Sequence, residues 1–189
     1  MWLMQKIRST LKNKETILNK LNDGAKIEIY LLKQPFSRRN NDHVSCSDIF
    51  LLKDDKDVFH ISVEEDEYES PINELYRLSI TEGAPVIQII NKDNIKFGKV
   101  QNNLPEGVEL FDTVFLEGVK EKIKFFYEKD YVKDTTGRIL YYIEIENTLL
   151  LKGQNKTIYI SCSDVAYCLV ISGDDQFIER QLDDKIESM

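Results

Sequence analysis

Histidine, cysteine, glycine and long apolar runs are all scarce in this 189-residue chain, and each scarcity removes a class of function. Only two histidines (His43 and His60) and 8 glycines are present. Consistent with that, the phosphate-binding pattern G-x-x-x-x-G-K-[ST], the dinucleotide pattern G-x-G-x-x-G, the nucleophile elbow G-x-S-x-G and the zinc motif H-E-x-x-H are all missing. The 3 cysteines are odd in number and lack framework spacing, so they read as reduced thiols in a cytosolic compartment. No apolar run approaches the roughly 18 residues of a spanning helix. Lys6, Arg8, Lys12 and Lys14 interrupt any secretory h-region at the N-terminus. A cytoplasmic location without membrane attachment is the expectation. Basic excess is lacking too: 33 Asp+Glu outnumber 25 Lys+Arg, a formal charge of −8. That argues against a protein built to neutralise the phosphates of a nucleic acid.

What is present begins with an internal echo. Ile27-Glu28-Ile29 precedes Ser45-Cys46-Ser47-Asp48, and Ile143-Glu144-Ile145 precedes Ser161-Cys162-Ser163-Asp164, both displaced by 116 positions. Val44 and Ile49 around the first Ser-Cys-Ser-Asp correspond to Ile160 and Val165 around the second. With two extra residues in the second copy, Phe59 corresponds to Phe177 and Glu65-Asp66 to Asp183-Asp184. A repeat found early governs the fold reading. Each unit, 25–70 and 141–188, amounts to about three strands, too few to bury a core alone. The two are therefore expected to share one core with pseudo-twofold symmetry, residues 71–140 adding further strands. Two small domains on a linker is the alternative, and no Pro- or Ser-rich linker supports it.

Along the chain, Met4, Ile7, Leu11, Leu18 and Leu21 follow helical spacing, broken only at Lys14 and widened by Ile17. Asn22-Asp23-Gly24 supplies the stop. An amphipathic helix over 1–24 is thus predicted. Residues 1–22 carry five cations against Glu15 alone, a net +4, which leaves −12 on the remainder. Strands are expected at 25–33, 43–53, 57–64, 85–91, 95–101, 108–116, 119–129, 138–151, 157–171 and 176–182, with a helix as the alternative for 119–129. A short helix is expected from Ser70-Pro71 to Arg77. The fold class is α+β, β-dominated: an N-terminal helix and a single β-rich domain over 25–189.

The residues that might carry chemistry are few. On a strand Val44, Cys46 and Phe50 share a face, as do Ile160, Cys162 and Cys168, which makes the cysteines small core residues. Asp48 and Asp164 are the misfits. Either each carboxylate serves a bulge or strand bend, or the repeat brings both together as a metal or catalytic pair. His43 with Cys46 forms H-x-x-C, but its counterpart in the second copy is Tyr159, and residues three apart on a strand face opposite ways. His60 is the other histidine a thiol dyad would need. Glu65, Glu67 and Tyr68 lie in the run Glu64–Glu69, a solvated face or a docking patch. The helix packs on the sheet, or makes a coiled-coil or partner-helix contact through near-heptad spacing, or, least favoured by Asn13, Asn19 and its modest apolar face, lies on a membrane surface.

These features are read as a non-catalytic, acidic, cytosolic binding or regulatory protein acting through protein–protein contact, its partner a protein of basic character. No cofactor, metal, nucleic acid or membrane is expected; homo-oligomerisation would use the N-terminal helix. The alternative is a small hydrolase with Asp48, Asp164 and a Cys or His between the two copies.

Overall fold

A computed structural model describes residues 5–33, 35, 37–40, 43–65, 76–83, 88–91, 94–97, 100–101, 104–105, 107–163 and 167–188. The first part of the chain gives β1 (Gln5–Ser9), α1 (Lys14–Asn22), β2 (Lys26–Leu32), β3 (Ser37–Asn40), β4 (His43–Cys46), β5 (Ile49–Lys53), β6 (Asp57–Glu65) and β7 (Tyr76–Glu82). Short strands follow: β8 (Gln88–Asn91), β9 (Asn94–Phe97), β10 (Val100–Gln101) and β11 (Leu104–Pro105). The remainder supplies β12 (Val108–Phe115), β13 (Ile123–Lys133), β14 (Ile139–Lys152), β15 (Thr157–Cys162), β16 (Leu169–Ser172), α2 (Asp175–Leu182) and β17 (Ile186–Ser188).

Two principal sheets result, so the chain is β-dominated, with two helices among the described residues. The larger runs β17-β13-β14-β15-β16-β4-β3 and the smaller β12-β2-β5-β6-β7. Among the described residues every pairing is antiparallel except that of β1, which lies parallel along Tyr141–Ile145 of β14. Alternation decides the faces. Ile27, Ile29 and Leu31 of β2, Ile49 and Leu51 of β5, and Phe59 and Ile61 of β6 turn to one side. There they meet Val44, Leu149, Leu151, Ile158, Ile160, Leu169 and Ile171 of the larger sheet in one continuous core. Each such side chain contributes roughly 1.5–3 kcal/mol on burial.

The outer faces are also covered. Phe126, Leu150 and Tyr159 meet Ile178, Phe177 and Leu182 of α2 on the larger sheet. On the smaller, Phe50, Leu52 and Val58 meet Leu104, Tyr30, Leu32 and Val108.

Three expectations change. The helix predicted over 1–24 is realised only as α1; Gln5–Ser9 is a strand, because the free side of β14 offers its backbone a ladder. Leu11, just before α1, and Ile17 and Leu21 of α1 enter the core. Four of the five cations are paired with the body: Arg8 to Glu144 (2.9 Å), Lys12 to Glu64 (3.1 Å), Lys14 to Glu146 (2.6 Å) and Lys20 to Glu82 (2.6 Å).

Residues 176–182 are helical where a strand was expected. Asp174 caps α2 by accepting from the amides of Gln176 and Phe177. The third elements of the two repeat units therefore differ, Phe59 on a strand and Phe177 on a helix. The unbroken strands expected at 43–53 and 157–171 are each two strands. The helix expected from Ser70 lies largely outside the described residues, while Tyr76 and Arg77 already belong to β7.

A bulge has the largest local consequence. Phe126 pairs with Thr148 but Tyr127 with Glu146, leaving Asn147 as the extra residue. One inserted residue reverses the facing of everything before it. Glu144 and Glu146 are consequently buried beside α1, at 4% and 1% exposure, while Ile143 and Ile145 pack in a separate cluster with Tyr141. The same Ile-Glu-Ile tripeptide in β2 points its isoleucines into the main core.

Candidate functional site

The first Ser-Cys-Ser-Asp is the corner at which the chain leaves one sheet for the other. β4 ends at Cys46 in the larger sheet and β5 begins at Ile49 in the smaller. Asp48 starts the outward row of β5 and meets β6, with its Oδ1 2.7 Å from His60 Nε2. Its Oδ2 accepts from the Ser47 hydroxyl at 2.5 Å. The His60 ring stacks on Phe50, its cross-strand neighbour, at 5.0 Å and 17°. Burial pushes the Asp48 carboxyl up, but the bonds from His60 and Ser47 outweigh it and hold the group below its ordinary 3.8.

This group is not a catalytic triad. Ser47 donates to the carboxylate and not to the imidazole, so His60 cannot activate that hydroxyl. The Cys46 thiol points into the core, where burial raises it to about 12. At neutral pH such a sulfur carries almost no thiolate. The bend anticipated at Asp48 is present, with side chains rather than backbone amides as its partners.

The second copy lies close by. β16 runs between β15 and β4, and Leu169 is the register partner of both Cys162 and Cys46. Cys46 and Cys162 therefore lie at one level on parallel strands that flank a third. Strands two apart are separated by roughly 9–10 Å, beyond the reach of a disulfide. Cys162 is likewise raised to about 12 by burial, and Cys168 is raised for the same reason. All three cysteines are free. Asp164 lies outside the described residues.

His43 sits on the face opposite Cys46 and packs edge-on against Phe177 of α2 at 4.6 Å. Glu65 accepts from the exposed Tyr167 hydroxyl at 2.7 Å; Glu67 and Tyr68 lie outside the described residues. Among the described residues, no group of three or more His, Cys, Asp or Glu is placed to hold a metal ion.

Sequence reasoning missed two features. One is the pair of buried carboxylates. Glu146 takes Lys14 on one oxygen and the Leu11 amide (2.8 Å) on the other, beside a cavity of about 420 Å³ also lined by Arg8, Thr10 and Asn13. Each carboxylate is engaged by a cation, Glu144 by Arg8 at 2.9 Å and Glu146 by Lys14 at 2.6 Å. The other is the far end of the β13–β14 hairpin. Beyond Tyr127 no described strand pairs with the outer edge of β13, and Tyr131, Ile139 and Leu140 stand 41%, 40% and 50% exposed. Alternating Lys and Tyr in 129–133 was the available signal.

No family model matches the chain, and no curated protein or solved structure matches it either.

Proposed function

We propose that this chain is a non-catalytic cytosolic binding or regulatory protein that acts through contact with another protein. One observation carries the reading: Tyr131, Ile139 and Leu140 are exposed together at the end of the β13–β14 hairpin, while among the described residues Ser47, Asp48 and His60 are bonded to one another. Exposed apolar side chains brought close together mark an interaction site. The free, buried thiols support a reducing compartment. We read the chain as a single unit in which the two Ser-Cys-Ser-Asp copies recur as strand ends of one core.

The hydrolase alternative draws its support from the Asp48–His60 contact, and it lacks a nucleophile on the imidazole among the described residues. The deciding experiment compares affinity capture from source cells by wild type, by I139S/L140S and by D48N. Loss of a captured protein with the hairpin variant, and retention with D48N, is the expected result. Equal capture by the wild type and I139S/L140S would move the contact away from the hairpin, and no protein captured by any of the three would refute the reading.

A further inference from the structure

We propose that the end of the β13–β14 hairpin docks an acidic protein segment bearing aliphatic side chains. This rests on the protein-contact reading above and adds the surface and the chemistry of the partner. Lys129, Tyr131 and Lys133 alternate onto one face of β13, with Tyr142 directly opposite Tyr131 and Ile139 opposite Lys133. The Lys129 ammonium lies 4.1 Å from the Tyr142 ring centroid and 5.8 Å from that of Tyr131. Arg138 adds a third cation at the turn. Among the described residues none of the three is in an ion pair. Arg8, Lys12, Lys14 and Lys20, by contrast, are each paired with a body carboxylate.

Both acids of this stretch accept from its own backbone, and Asp134 also feels the Arg138 charge. Asp134 accepts from the amides of Thr136 (2.8 Å) and Arg138 (3.0 Å) and from the Thr136 hydroxyl (2.6 Å), and Asp130 accepts from the Tyr131 amide (2.7 Å). Residues 129–142 thus carry a net +1 in a chain of −8, so −9 lies elsewhere. Opposite charge steers a partner to the hairpin, and the ordered turn holds Ile139 and Leu140 ready to be covered.

A second copy fits poorly. An antiparallel pairing of β13 with itself keeps faces matched only when one residue opposes its own copy. Those registers set Lys129 against Lys129 or Lys133, or Asp130 against Asp130, and like charges opposite one another destabilise. The −9 on the rest of the chain opposes an extended polyanion such as a nucleic acid or an anionic bilayer.

The test is selection of a displayed random 16-residue peptide library on the intact protein, repeated with K133E/R138E and I139S/L140S. Both variants change exposed positions, and retention of the wild-type melting curve verifies their fold. Wild type is expected to enrich peptides rich in Asp and Glu with Leu, Ile or Phe among them. The best such peptide, synthesised, should bind each variant about tenfold or more weakly. Its affinity for wild type should also fall as salt rises. Basic peptides held equally by the variants would overturn the docking surface while leaving the protein-contact function standing. No enrichment at all, with the hairpin binding only phosphatidylserine vesicles or oligo(dT), would overturn both.

Discussion

Replacing Lys14 with Met should be among the most damaging single changes near the surface of this protein. Lys14 Nζ sits 2.6 Å from Glu146 Oε1, with the side chains 17% and 2% exposed. The second oxygen holds the Leu11 amide, which joins the strand–helix connection to the larger sheet. Removing the ammonium strips this interior carboxylate of its bonded cation, a loss of about 3–5 kcal/mol where a buried pair is broken outright, while the Arg8 charge still acts on it across the cavity. The contact of Lys14 with the Phe125 ring at 5.6 Å is lost as well. The adjoining cavity lets water reach the carboxylate, which lowers the expected cost to about 2–4 kcal/mol.

Lys12→Met is the control, since its partner Glu64 is 39% exposed and Lys12 itself 70%; there the cost should be about 0–1 kcal/mol. Adding Glu146→Gln to Lys14→Met removes the stranded charge and retains an acceptor for Leu11, so the double variant should regain most of the loss. Urea unfolding followed by far-UV circular dichroism at pH 7 measures all four proteins. With a slope of about 2 kcal/mol/M, the Lys14 variant should unfold about 1–2 M earlier. Equal midpoints for the Lys14 and Lys12 variants, or a double variant no better than Lys14→Met alone, would refute the reasoning.

Three further outcomes are expected. Native Cys46 and Cys162 should resist thiol labelling at neutral pH. Because both are held at about 12 against an ordinary 9.0, the unfolded chain loses these protons first, so stability should fall as pH rises from 9 towards 12. Asp48 works in the other direction: its lowered carboxyl stabilises the fold above its ordinary range and loses that effect as pH falls below about 4. Asp48→Asn should therefore cost about 1–2 kcal/mol at pH 7 and flatten the acid limb of an unfolding titration. Gly153→Ala should lower stability by about 1–3 kcal/mol in a thermal melt, because its Cβ would lie 2.4 Å from Val114 Cγ1 and 2.9 Å from the Phe115 carbonyl oxygen.

The strands are the part of this protein that its sequence wrote plainly. Period-two alternation is a local property, so Ile27–Leu31, the hairpin around Asp54-Asp55 and the long run of β14 were all legible. Cys46 was equally legible as a core residue, because apolar neighbours two positions away share its face, while Cys162 is only partly buried against the same core. Tertiary structure decided what pairing and packing alone can decide. Whether Gln5–Ser9 became helix or strand depended on an open side of β14 that lies 136 positions away. The residues 176–182 became a helix because Asp174 caps it and the outer face of the larger sheet receives Phe177, Ile178 and Leu182. The Asp48–His60 contact exists because β5 and β6 pair in a register that sets His60 beside Phe50. Clearest of all is Ile-Glu-Ile, written identically in β2 and β14. One extra residue at Asn147 turns the second copy over, so the same three letters fill the core in one strand and bury a carboxylate in the other. A bulge is fixed by the partner strand, and no local pattern records it.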